Sequence, residues 1–189
     1  MPILRILFAA VFLAALGLPA LAVDDILEAI DQARKAYQAG DMTSAKESLN
    51  LASHLVGQKN AENFATLLPA ALPGWTAEKV ETASAGVAMF GVSSASRRYT
   101  GPDGHDVEVR IAGDSPIVLQ FAQFLINPAI AGAMGKLIRV GDQRAIQTNE
   151  GSINMVVASK FLVTVDGSAD AASKLAYAQA VDVAKLSKM

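Results

Sequence analysis

The sequence predicts an α+β fold: an N-terminal αα-hairpin, then a twisted antiparallel sheet of about six to eight strands with two packed helices. Three observations predict it. Apolar residues recur every three or four positions from Asp24 to Leu68, then every second position after Gly74. The strand-like runs are joined by short turns, which pair neighbours antiparallel rather than in a doubly wound parallel sheet. Two further helical stretches, one opening at Asp114-Ser115-Pro116 and one over Ala169–Leu186, interrupt and close the strand series.

The chain has 189 residues, 52% of them apolar, a mean hydropathy of +0.32 and no cysteine. The apolar excess is concentrated at the front, where residues 1–22 hold 18 apolar side chains. Arg5 supplies a positive start, Ile6–Leu18 an unbroken apolar core, Pro19 a helix stop, and Ala20-Leu21-Ala22 small residues where a signal peptidase reads. The expectation is a signal peptide over 1–22, cleaved after Ala22, and a mature chain in the periplasm or outside the cell. The core is short against the ~20 apolar residues a membrane span requires, so no stable span is expected once the leader is gone. Pro69–Gly74 marks a boundary, giving a helical hairpin region over 23–73 and an antiparallel α+β domain over 74–189.

In the first helix Ile26, Ile30, Ala33 and Tyr37 recur at spacings of three and four, with Leu27 widening the stripe. Gly40 suits the helix end, and Asp41 can cap a second helix whose stripe is Ala45, Leu49, Ala52 and Leu55. So short a link makes the two antiparallel. Ala33, Tyr37, Gly40-Asp41, Ala45, Leu49 and Ala52 together resemble one tetratricopeptide-repeat unit, over about 34 residues (24–57). The tryptophan and terminal proline of the fuller pattern are missing, and no second copy follows. That resemblance implies a protein-binding role without naming binding residues. A plain αα-hairpin packed on the rest of the domain is the other reading. A further short helix is expected over Ala61–Leu68.

Strands are expected at Trp75–Thr82, Val87–Val92, Ser94–Thr100 and Val107–Ala112, the last pair flanking the turn Gly101-Pro102-Asp103-Gly104. Val107, Val109 and Ile111 alternate with Asp106, Glu108 and Arg110, which gives that strand one buried and one wet face. A helix from Pro116 to about Ile126 follows. Four more strands come next: Leu137–Val140, Gln143–Thr148, Ser152–Ala158 and Lys160–Asp166. The final helix puts Leu175, Ala178, Val181, Val183 and Leu186 on one broad face.

A formal charge of −2 gives no field for nucleic acid, and Arg97-Arg98 is a pair rather than a patch. Without cysteine there is no disulfide scaffold, thiol nucleophile, thiolate metal site or lipid-anchored cysteine. Two histidines, His54 and His105, offer little for a metal, and no metal site is expected. No G-x-G-x-x-G follows a strand and no phosphate-binding loop is present, so no cofactor is expected. Ser53 and His54 are adjacent on a helix and point apart. His105 reads as a solvated turn residue, or as a general base beside Asp103 or Asp106.

Two features invite a binding role. Arg97 and Arg98 point to opposite sides of a strand, so either could hold an anionic ligand, or one could pair across the hairpin with Glu108 or Asp106. The segment 116–137 carries Phe121, Phe124 and Leu125 on a helical stripe, followed by a small apolar stretch with Ile130 and Met134. It reads as a core helix with a buried loop, or as an adaptable lip over a groove for an apolar ligand or protein partner. The expected function is an exported, non-catalytic binding or protein-interaction module of the bacterial cell envelope. A hydrolytic enzyme of an unfamiliar type, or an envelope assembly accessory protein, are the alternatives.

Overall fold

The computed structural model describes residues 24–83, 92–113, 118, 132 and 135–189. The leader 1–22, most of the strand expected at Val87–Val92, and nearly all of the segment 116–134 lie outside the described residues.

Two helices come first, α1 (Asp25–Gln38) and α2 (Met42–Ala65). The Asp24 carboxylate caps α1, accepting from the N–H groups of Ile26 and Leu27, which would otherwise be orphaned. Gly40, at φ +80°, turns the chain, and Asp41 caps α2 by accepting from the Ser44 N–H at 3.0 Å and its hydroxyl at 2.7 Å. α2 runs on through Gly57 to Ala65, where the sequence suggests two separate helices. Gly57 is buried, and Ala61 and Phe64 follow it on the buried side. Packing against the sheet offsets the roughly 1 kcal/mol that a mid-helix glycine costs. The expected helix over Ala61–Leu68 is thus the tail of α2, and Leu67 and Leu68 lie beyond it, buried in the core.

Eight strands form one antiparallel sheet: β1 (Thr76–Ala77), β2 (Glu81–Ala83), β3 (Ser93–Thr100), β4 (Asp106–Gly113), β5 (Gly135–Val140), β6 (Gln143–Thr148), β7 (Ile153–Val157) and β8 (Phe161–Asp166). The order is β1-β3-β4-β8-β7-β6-β5, with β2 also on the outer side of β3. Thus β8 lies between β4 and β7 and joins the two halves of the sheet. The expected strand Trp75–Thr82 is split because Glu78 leaves the ladder. Its N–H still donates to the Arg98 carbonyl at 2.9 Å, and its own carbonyl accepts from Arg97 Nε at 2.8 Å. The β7–β8 link is three residues, 158–160, and places Ala158 at φ +52° and Ser159 at φ +56°, two consecutive left-handed residues without glycine or asparagine.

The expected terminal helix is also two. α3 (Ala171–Ala180) ends at Val181, which is extended, and Asp182 caps a short α4 (Val183–Leu186) by accepting from the Lys185 N–H at 2.9 Å. The break lets Val181 and Leu186 both enter the core.

The main core fills one face of the sheet. Alternation places Tyr99, Val107, Val109, Ile111, Val163, Val165, Ile153 and Met155 there, beneath Phe64, Leu67 and Leu68 from the front end and Tyr177 and Ala178 from α3. Tyr99 and Tyr177 stack at 4.4 Å and Trp75 meets Tyr177 edge-on at 5.2 Å. The two buried hydroxyls serve the Pro69–Leu72 link: Tyr99 donates to the Pro69 carbonyl at 2.6 Å, and Tyr177 accepts from the Leu72 N–H. Burial pushes the Tyr99 phenol up to about 12. The opposite face carries Arg98, Glu108, Arg110, Thr164, Asp166 and Asn154, and Ile146, paired with Asn154, is fully buried on it.

Candidate interaction surface

The helical hairpin is built on alanine. Ala29 and Ala33 of α1 and Ala45 and Ala52 of α2 are buried, and their small side chains let the helices approach closely. α1 packs chiefly on α2, while the C-terminal half of α2 reaches the sheet. The large apolar side chains do the opposite of what the sequence pattern suggests. Leu27, Ile30, Tyr37, Met42, Leu49, Leu51 and Val56 all remain exposed, with Leu27 at 61% and Tyr37 at 65%. They are seven of the nine large apolar residues exposed among the described residues. Ile30, Tyr37 and Leu49, assigned by periodicity to the same stripes as the buried alanines, therefore sit outside.

Their arrangement follows from helix geometry. Tyr37 lies four positions after Ala33, Leu49 four after Ala45, and Val56 four after Ala52. Four residues advance about 400°, so each large side chain is rotated about 40° from the buried alanine before it. The helices are antiparallel, so equal offsets turn both stripes to the same side of the hairpin. Ile30 stands in the same relation to half-buried Ile26, and Met42 continues the α2 stripe one heptad before Leu49. One face of the hairpin therefore carries Ile30, Tyr37, Met42, Leu49 and Val56, with exposed Leu27 about 60° beyond Ile30 around α1. Sequence periodicity passes over Met42 and Val56, and finds Leu27, Ile30, Tyr37 and Leu49 but not their side. The signal for it is the alanines, since the narrow faces must be the ones in contact.

Arg97 and Arg98 have separate structural duties. Arg97, on the core side at the sheet edge, holds Glu78 and lies 5.8 Å from the Tyr99 ring centre. Arg98, on the wet side, pairs with Asp106 at 3.1 Å and Glu108 at 3.0 Å, and Arg110 takes the other Glu108 oxygen at 2.8 Å. These residues line an open cleft of about 480 Å³ with Thr164, Asp166 and Gly167. Its carboxylates are also engaged. Asp106 accepts from the Ser168 hydroxyl at 2.5 Å and Asp166 from the Ser152 hydroxyl at 2.6 Å, and these bonds hold both carboxyls below the usual aspartate range. The charged groups of the cleft pair with one another, Arg98 with both carboxylates and Arg110 with Glu108.

His105 occupies the β3–β4 turn, exposed, with its N–H donating to the Asp103 side chain and its carbonyl accepting from Gly101. His54 is half-buried on α2. Phe121, Phe124, Leu125, Ile130 and Met134 lie outside the described residues. Among the described residues no group of three or more His, Asp or Glu side chains could hold a metal ion, and no helix is long and apolar enough to cross a membrane.

Sequence reading also missed Lys174. It sits in α3, only 4% exposed, with its ammonium beside Gly151 and its charge favouring the ionised Asp166. The helical period gives no sign of a buried cation, because a lysine stem packs like an apolar chain. Comparison of the chain with protein-family models, with curated proteins and with solved structures yields no match.

Proposed function

We propose that the protein is an exported, non-catalytic protein-interaction module of the bacterial cell envelope, and that the α1–α2 face is its binding surface. The observation that carries the reading is the inversion in the hairpin, where alanines are buried and Leu27, Ile30, Tyr37, Met42, Leu49 and Val56 are exposed together. Monomeric proteins seldom leave large apolar side chains grouped in this way unless a partner covers them. The self-satisfied charge network around Arg98 supports the same reading, because its titratable groups are engaged with one another. Export rests on the leader-like pattern of residues 1–22.

Site-specific photo-crosslinking in the source cell tests the binding surface. A photoreactive residue at Ile30 or Leu49 should give a discrete protein adduct, and one at exposed Lys160 should not. No adduct at either hairpin position, or the same adducts at Lys160, would overturn the proposal. N-terminal sequencing of the protein from the cell envelope should find Val23 first, and an intact Met1 would remove the exported part of the reading.

A further inference from the structure

We propose a second contact site, separate from the hairpin: the outer edge of β5, which takes an extended acidic segment of a partner protein as an added strand. β5 ends the sheet, and no strand lies beyond it among the described residues. The two-residue turn Gly141-Asp142 closes the β5–β6 hairpin on Val140 and Gln143. Alternate pairs then exchange hydrogen bonds, so Lys136, Ile138 and Val140 direct their backbone groups at β6. The Thr148 N–H, which donates to the Ser152 carbonyl at 2.8 Å, fixes the same phase from the β7 side. Leu137 and Arg139 therefore turn their N–H and C=O groups outward, along the open edge. Lys136, Leu137 and Arg139 are all exposed, Leu137 at 43%.

The charges on this edge select the partner. Arg139 stands directly opposite Arg144 in the register, and both are exposed. They form a non-hydrogen-bonded pair, the kind that brings side chains closest, and like charges so placed repel. Among the described residues no ion pair involves Lys136, Arg139 or Arg144, and Asp142 in the turn between the strands closes none. The whole chain has a formal charge of −2, so these three cations gathered on one hairpin are a local excess. Charges on an edge strand ordinarily keep it from pairing with its own kind. Here they repel a second β5, while an acidic strand meets attraction at the same positions. The register then specifies the segment. Residues facing Lys136 and Arg139 should be acidic, and those facing Leu137 and Ile138 apolar. That pattern, acidic-apolar-apolar-acidic, reads the same in either strand direction. Backbone bonds to Leu137 and Arg139 supply affinity, and the flanking charges supply selectivity. The acid facing Arg139 also relieves its repulsion with Arg144. A nucleic acid would satisfy the charges but use neither the open ladder nor Leu137.

The probe is a fluorescent decapeptide with a glutamate-valine-valine-glutamate centre and serines outside it. Anisotropy with the purified protein should give a Kd of about 10–100 μM. Amide hydrogen exchange at Leu137 and Arg139 should slow by about tenfold when the peptide is bound. Lys136→Glu with Arg139→Glu should lose about tenfold in affinity for this peptide and gain as much for its lysine-valine-valine-lysine counterpart. Arg139→Glu alone gives Arg144 a cross-strand partner, so its thermal melt should rise while peptide binding falls, which separates lost binding from lost folding. Ile30→Glu with Leu49→Glu should bind the peptide as the wild type does, and a loss there would overturn the separation of the two sites. No binding at about 1 mM peptide, equal binding of the lysine peptide to the wild type, or unchanged exchange at Leu137 and Arg139 overturns the proposal. So does equal binding of a peptide with both valines replaced by proline, or tighter binding of a single-stranded oligonucleotide, since charge alone would then account for the contact.

Discussion

The hairpin and the sheet use the same residue types in opposite places. In the sheet the large side chains, such as Ile111, Val163 and Met155, are sealed inside, and the polar ones, such as Arg98 and Glu108, face out. In the hairpin alanines are sealed inside and leucine, tyrosine and methionine face out. The sheet is stabilised by what it buries. The hairpin is held by its caps, by close backbone approach and by the docking of α2 on the sheet. Much of its apolar surface therefore contributes nothing to the fold of a single chain.

The sharpest way to break this contrast is a matched pair of truncations. Ile111→Ala removes a fully buried side chain from the sheet core and should cost about 2–5 kcal/mol in urea unfolding. Leu49→Ala, followed at a concentration where the protein is monomeric, should stay within about 0.5 kcal/mol. Equal losses would mean that the hairpin face belongs to the core of one chain after all.

A second test probes the seam where β8 meets β4. Gly167 sits at φ +122°, and a β-carbon there would run into the Asp106 backbone carbonyl. Gly167→Ala should cost about 1–3 kcal/mol through backbone strain, read from the same unfolding curves. Gly40, at φ +80°, has open space around it, so Gly40→Ala should cost only the left-handed strain, about 1 kcal/mol.

Acid should separate the regions less strongly. Asp106 and Asp166 are held below the ordinary aspartate range by the Ser168 and Ser152 hydroxyls. Their folded values are depressed, so the unfolded chain takes up protons first as pH falls. The stabilisation is complete above about pH 4 and is lost as pH drops through the folded values. Ser168→Ala should cost about 1 kcal/mol at neutral pH, given the solvent access of the site, and should flatten the fall of melting temperature below pH 4. The smallest effect is a gain. Ser159→Gly relieves a left-handed position in the β7–β8 turn and should raise stability by about 0.5–1 kcal/mol, measured as a higher melting temperature.

Much of the sheet was legible because alternation and turns are local signals. Val107, Val109 and Ile111 announce a half-buried strand, and Gly101-Pro102-Asp103-Gly104 announces its hairpin. The register of β3 on β4 follows, and with it the Arg98 pairs with Asp106 and Glu108. The insertion of β8 between β4 and β7 was not legible, since nothing near Phe161 names a partner some 50 residues back. Helix ends failed where tertiary contact outweighed local preference, at buried Gly57 and at Val181. The hairpin face failed for a different reason. Periodicity reports which residues share a stripe, and only the alanines tell which stripe is in contact.

The place of β8 also bears on how the chain acquires its structure. The strands before Gly113 and those from Gly135 to Val157 are two separate meanders until Phe161–Asp166 bridges them. A chain emerging from the ribosome cannot join the two meanders until Phe161–Asp166 has appeared. Closure then spans long sequence separations, which is the slow kind of folding step. Any truncation upstream of Phe161 would leave two exposed strand edges with nothing between them, an invitation to pair with other chains rather than with each other.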